Sequence, residues 1–220
     1  MSAELVEIVL FTLQVCAVAL LISIVLGVPL GALLGLADFF GRRIVTVLVY
    51  TGMGFPPVVI GLFVYIGLSR SGPSGGVDWP WLPSLFTPGA MVLAQTIIAL
   101  PMIVGITMAS VVALDPQLRL QIRSLGATRM QLAASLLLEA RVGVLVAVIA
   151  GFGAIISEVG AAMLVGGNIE GRTRVLTTAI VLETRKGNFD LALWLGLVLI
   201  ALTFLANLGM HRLQGGRSLE

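Results

Sequence analysis

The sequence predicts an all-α polytopic membrane protein with five transmembrane helices. Three observations carry that prediction. The chain of 220 residues is 58% hydrophobic and only 11% charged, where a soluble domain carries about 25% charged residues. Its mean hydropathy is +1.09. Its charges are bunched, leaving long gaps with no Asp, Glu, Lys or Arg: Glu7 to Asp38, Arg43 to Arg70, Asp78 to Asp115 and Asp190 to Arg212. A membrane span needs about 20 apolar residues. A chain of this length is read as one bundle, a single transmembrane domain over 1–220.

The first gap places a span near 8–36. The start, MSAELVE, lacks the basic residues of a cleavable signal peptide, so the span is expected to stay. Pro29 reads as a packing kink. Gly27, Gly31 and Gly35, four apart, form a small-residue face that lets another helix approach closely. Cys16 is the only cysteine, so no internal disulfide is possible and the thiol is expected to pack. The second span, near 44–69, contains Pro56-Pro57, and the third, near 88–113, contains Pro101. Proline interrupts the helical ladder, which a bilayer tolerates where neighbours or water satisfy the freed carbonyls. Packing kinks and helices lining a pathway are both open readings. The fourth span, about 130–157, carries Glu139 and Arg141 early. Two residues apart, they do not face each other on a helix, so that end is expected to project into water. The fifth span lies near 190–210.

Lys and Arg in short loops set orientation. Arg42 and Arg43 follow span one, Arg119, Arg123 and Arg129 follow span three, and Arg212 and Arg217 follow span five. These loops share one side, which makes them cytoplasmic and puts the N-terminus outside and the C-terminus inside. Loop 70–87 is then outside, where Trp79, Trp81 and Phe86 suit an interfacial belt. Arg172, Arg174, Arg185 and Lys186 lie on the outer side, against the rule.

Between spans three and four lies a polar island, Asp115 to Gln131. Asp115-Pro116 is a helix-start pair. Gly126 suits a left-handed C-cap, and Thr128 with Gln131 forms a capping box for the next helix. A short helix at about 116–124 therefore sits outside the membrane. Arg119 and Arg123 share one face, and Leu118, Ile122 and Leu125 another, the shape of a part that docks into another protein.

Absent motifs limit the chemistry. There is no G-x-x-x-x-G-K-[ST] phosphate loop. The one histidine, His211, excludes H-E-x-x-H zinc chemistry, and no G-x-S-x-G elbow occurs. The chain is read as no enzyme, with no metal or cofactor of its own. No basic run interleaves with aromatics, which argues against nucleic acid.

Arg123-Ser124-Leu125-Gly126-Ala127, with Leu136, Leu137, Leu138 and Gly143 after it, resembles the EAA loop of ABC importer permeases. In that family the loop forms a coupling helix that docks into a groove of a cytoplasmic ATPase. Ala99-Leu100-Pro101 and Val112-Ala113-Leu114-Asp115-Pro116 fit the same family. Leu120-Gln121-Ile122 replaces the usual Glu-Ala-Ala, and Leu137-Leu138 the usual Leu-Pro. Ile156-Ser157-Glu158-Val159-Gly160-Ala161-Ala162 is similar to a segment of molybdate-type permeases. The stretches 55–62, 68–73, 166–169, 173–180 and 183–190 resemble the tungstate branch.

The resemblance implies a type I ABC importer permease fold and an oxyanion substrate, with tungstate first and molybdate or another oxyanion as the alternative. It implies a second copy of the chain, two cytoplasmic ATPase subunits that hold ATP and Mg, and an extracytoplasmic oxyanion-binding protein. The setting is a lipid bilayer, the prokaryotic cell (inner) membrane, with transport by alternating access. Asp115, Leu118, Arg119, Ile122, Arg123, Leu125, Gly126 and Ala127 are then the ATPase-coupling residues. Pro56, Pro57, Arg172, Arg174, Thr177 and Thr178 are the candidates for the substrate path and gate. A tetrahedral dianion needs donors and cations without a deep trap. The same arginines read equally as solvated loop charges, and the threonines as packing of a short helix. Glu158, an acid at the end of a span, is unwelcome in an anion path and reads as structural. The rival class is a stand-alone channel or secondary carrier, which would not need a capped helix with an apolar stripe.

Overall fold

The structure is a computed structural model that describes residues 2–69, 72 and 82–213. Among the described residues ten helices follow one another: α1 (Ser2–Leu36), α2 (Arg42–Met53), α3 (Pro57–Leu68), α4 (Pro88–Val112), α5 (Pro116–Ser124), α6 (Arg129–Glu139), α7 (Arg141–Ile156), α8 (Gly160–Gly166), α9 (Leu176–Arg185) and α10 (Phe189–Leu213). No strand occurs among the described residues. Trp79, Trp81, Arg70 and Arg217 lie outside the described residues.

Among the described residues, three helices are long and apolar enough to cross a membrane: Glu4–Leu36, Pro88–Val112 and Phe189–Met210. Two bent pairs bring the number to five if each is one span. The stretch read from sequence as one span over 44–69 is two helices, α2 and α3, bent by 104°. The cause is local. Proline disfavours helical backbone in the residue before it, and Pro56 sits at φ −61°, ψ 122° as the N-cap of α3, with Pro57 at its first position. The stretch read as 130–157 is α6 and α7, bent by 72° at Ala140. No proline marks that bend; Glu139 and Arg141 flank it, both exposed.

The core is built around α4, whose neighbours include α1, α2, α7 and α8. Val15, Cys16 and Ala19 of α1, Met91, Ala94 and Ala99 of α4, Ile155 and Ile156 of α7, and Ala161 and Val165 of α8 form one buried cluster. The small-residue face of α1 lies on α4 at backbone contact. A Cβ added at Gly31 would sit 2.7 Å from the Val104 carbonyl oxygen and 2.8 Å from Thr107 Cβ. Interiors packed to that density do not absorb an extra methylene. A smaller cluster joins Ile8 of α1, Leu176 and Ala179 of α9, and Leu195 of α10. Leu193, Trp194, Leu197, Ile200 and Phe204 of α10 are exposed, a face suited to lipid.

Candidate functional site

Two ends of the bundle hold the candidate residues, and α1 runs from one to the other. At the α5 end every cap is local. Asp115 Oδ1 accepts the Gln117 N–H at 2.8 Å, and Pro116 follows at the first helical position. The helix closes at Gly126, φ +81°, whose N–H donates to the Arg123 carbonyl at 3.0 Å. That left-handed backbone is one glycine adopts freely and a β-carbon penalises. The Thr128 N–H then donates to Gln131 Oε1 at 2.9 Å, and the Gln131 N–H to Thr128 Oγ1 at 3.3 Å, completing a capping box.

The exposed face of this segment differs from the one its spacing suggests. Leu118, Ile122 and Ala127 are half-buried. Leu120 is 57%, Leu125 87% and Met130 81% exposed, and Arg123 is exposed beside them. Leu120 lies in α5, Leu125 is its C-cap and Met130 is in the first turn of α6, and exposed large apolar side chains on such a segment suit an interaction surface. Arg119, one helical turn before Arg123, has different surroundings. It is half-buried and turns into the bundle, where its Nη2 donates to the carbonyl oxygen of Leu36, the last residue of α1. A cavity of about 220 Å³ lies behind α5, lined in part by Asp38, Arg42, Leu114, Asp115 and Arg119.

Away from α5, two breaks in the helical backbone meet. One is the α2–α3 elbow, where Pro56 is exposed and Pro57 half-buried. The other is Ser157 to Val159, between α7 and α8. They are adjacent because α3 and α8 touch backbone to backbone: a Cβ at Gly61 would lie 2.5 Å from Ala161 Cα. Glu158 spans the second break. Its Oε1 accepts the Ala161 N–H at 2.7 Å, and its carbonyl accepts the Thr177 hydroxyl at 2.8 Å.

The path candidates are not gathered at one point. Thr177 and Thr178 are buried. The Thr178 hydroxyl accepts the Val175 N–H at 3.1 Å and donates to the Val175 carbonyl at 3.0 Å. Arg172 and Arg174 instead line a cavity of about 690 Å³ against α1, together with Glu4, Glu7, Gln14 and Glu170. Arg174, whose side chain is 13% exposed, lies between Glu4 at 3.4 Å and Glu170 at 3.3 Å. Three carboxylates thus offset the two arginines. Just beyond α9, Lys186 Nζ and Asn188 Nδ2 reach Glu183 at 2.7 and 2.8 Å. The Asn188 amide first, and then Lys186, holds the Glu183 carboxyl below its usual range. No group of three or more metal-ligating side chains occurs among the described residues.

The sequence model of the binding-protein-dependent transport system inner membrane component family matches residues 27–216. The chain belongs to that family. It is 43% identical over 208 residues to the "Probable anion ABC transporter permease protein" of Haloferax volcanii, covering 92% of this chain and 88% of that one. It is 35% identical over 207 residues to the tungstate uptake system permease protein TupB of Peptoclostridium acidaminophilum, covering 94% and 89%. The MetNI methionine ABC transporter in an inward-facing conformation superposes with a TM-score of 0.74 at 21% identity, over 97% of this chain and 96% of that one. The fold is that of a type I ABC importer permease.

As a permease of this kind, the chain is a transport component. Leu120 and Met130 are the exposed residues that sequence reading missed. Leu120 stands where the family loop usually carries a small or acidic residue, so it registered as a departure rather than as surface. Met130 follows the capping threonine and read as the start of a span.

Proposed function

We propose that this chain is the membrane subunit of an ATP-driven importer for tungstate. Two copies form the path. Each meets one cytoplasmic ATPase subunit, which holds ATP and Mg, through α5, and an extracytoplasmic oxyanion-binding protein delivers the substrate at the α8–α9 end. The α5 end is then cytoplasmic and the N-terminus outside, in keeping with Arg42, Arg43, Arg119, Arg123 and Arg129 at that end. The observation that carries the reading is the exposed set Leu120, Arg123, Leu125 and Met130 on a fully capped segment, in a chain with no phosphate loop. A motor is needed, and this is the surface offered to one. The experiment is Gly126→Pro. Proline fixes φ near −65°, opposite to +81°, so the docking segment turns away while the spans keep their packing. Folding is expected to survive and uptake to be uncoupled from ATP hydrolysis. Unchanged coupled hydrolysis refutes the reading.

The choice of tungstate rests on the tungstate-type stretches at 166–190 and on the likeness to a tungstate permease. Molybdate has the same charge and tetrahedral shape, so a path of hydroxyls and amides discriminates poorly between the two. Titrating the cognate binding protein with both anions tests the choice. Tighter tungstate binding is expected, and a molybdate preference overturns it.

A further inference from the structure

Helix α5 is joined to α4 through residues 113–115, and Asp115 has left the helical region at ψ 124°. Alone, such a joint is a pivot. Force applied to α5 would rotate it about Asp115 before moving the spans. The Arg119 guanidinium removes that freedom, because it takes the carbonyl of Leu36 at the end of α1, a residue 83 positions away in sequence. That oxygen is one of the four at a helix end with no partner inside the helix, and a cation there also meets the negative end of the helix dipole. Arg42 supports the same terminus, its Nε donating to the Leu34 carbonyl at 2.8 Å.

Two features brace α1 against α4 on either side of Pro29, which interrupts its hydrogen-bond ladder. Its glycine face is in backbone contact with α4, as at Gly31. Ser23 donates to the Ala19 carbonyl at 2.8 Å and is 3.3 Å from the Thr96 carbonyl of α4. The far part of α1 is tied in turn to α9. Val175, the residue before α9, has no side-chain acceptor with which to cap it. The Leu176 N–H donates instead to Thr12 Oγ1 of α1 at 3.0 Å, and Thr12 is 3% exposed. From Leu36 to Thr12, the helix spans about 36 Å at 1.5 Å per residue.

We propose that α1 is the transmission element of the permease, with Arg119 fixing it to α5 and Thr12 fixing it to α9. Motion at the docking surface then reaches the Thr177 segment along one continuous helix braced by α4 on both sides of Pro29. Arg119 is a positioning residue in this account, not part of the docking face. The proposal rests on the reading of α5 as the ATPase dock.

The test uses the full transporter in proteoliposomes, with its ATPase and binding protein, and reads anion transported per ATP hydrolysed. Arg119→Met and Thr12→Val should each lower that ratio, by about tenfold for the loss of one charge-assisted hydrogen bond at Arg119. Arg119→Lys and Thr12→Ser should recover most of it, since a single donor or hydroxyl suffices at each site. The double variant Arg119→Met/Thr12→Val should be no worse than the worse single one, because both cut the same link. A double effect equal to the product of the two, as for independent lesions, overturns the proposal, as does an unchanged ratio in Arg119→Met. A second measurement does not depend on those variants. Spin labels at the exposed positions Leu33→Cys and Gln121→Cys, with Cys16 only 1% exposed, should keep one distance with and without nucleotide. A nucleotide-driven change in that distance overturns the link. Uptake by the wild-type chain without ATP would instead remove the docking reading itself.

Discussion

The two ends of this permease are held together in opposite ways. At the α5 end, Asp115, Gly126, Thr128 and Gln131 satisfy the backbone within a few residues, and large apolar side chains stay in the open. At the α9 end the bonds reach across the chain: Thr12 to Leu176, Thr177 to Glu158, Thr173 to Gly166. Apart from the Arg119–Leu36 bond, the first end is capped within itself and presents a surface. The second end has turned its hydroxyls inward. A self-contained segment can lose surface side chains without loss of fold, whereas a cross-linked one cannot.

That contrast can be broken by substitution. The largest effect is expected at the contact of the two helix breaks. Gly61→Leu forces a side chain into Ala161, whose Cα would lie 2.5 Å from the new Cβ, and should cost about 3 kcal/mol of stability, read as a lowered unfolding midpoint in detergent. Next is Thr173→Val. The Thr173 hydroxyl, fully buried, donates to the Gly166 carbonyl at 2.6 Å and accepts the Ile169 N–H at 3.0 Å. Its loss leaves both backbone groups unpaired, for about 2 kcal/mol. If Thr173→Val melts like the wild type, the α9 end is not cross-linked in this way, and if Gly61→Leu does, α3 and α8 are not in backbone contact.

A smaller, pH-dependent effect belongs to Glu183. Its carboxyl titrates below its usual value when folded. Its contribution is therefore present above the unfolded carboxylate pKa of about 4.3 and is lost as pH falls through the lower folded value. Glu183→Gln should be less stable than the wild type at neutral pH, and the gap should narrow on acidification below about pH 4. A gap that widens there contradicts the assignment. The smallest stability effect is expected at the α5 end. Leu125→Asp should shift the unfolding midpoint by no more than a surface change does, about 0.5 kcal/mol or less.

How much of this was legible in the sequence follows the same division. Asp115-Pro116, Gly126 and the Thr128–Gln131 pair act on neighbours three or fewer positions away, so their residue types announce their roles. The proline pair at 56–57 marked an interruption, but not a 104° elbow, since the angle is set by what α3 packs against. The bend at Ala140 had no marker at all. Spacing also placed Arg119 beside Arg123. Helical period assigns residues to faces but does not say which face meets the bundle, and the partner of Arg119 is a carbonyl 83 positions away. Thr178 and Arg174 were candidates for an anion path by residue type. Their actual partners, the Val175 backbone and the Glu4 and Glu170 carboxylates, are not a matter of type.

We propose that α5 is the dock for an ATPase. Its most direct test is copurification of the cognate ATPase subunit with the detergent-solubilised permease, comparing the wild-type chain, Leu125→Asp and Arg172→Gln at the opposite end. The wild type and Arg172→Gln are expected to retain the ATPase, while Leu125→Asp is expected to lose it with an unchanged unfolding midpoint. Full retention of the ATPase by Leu125→Asp would contradict it.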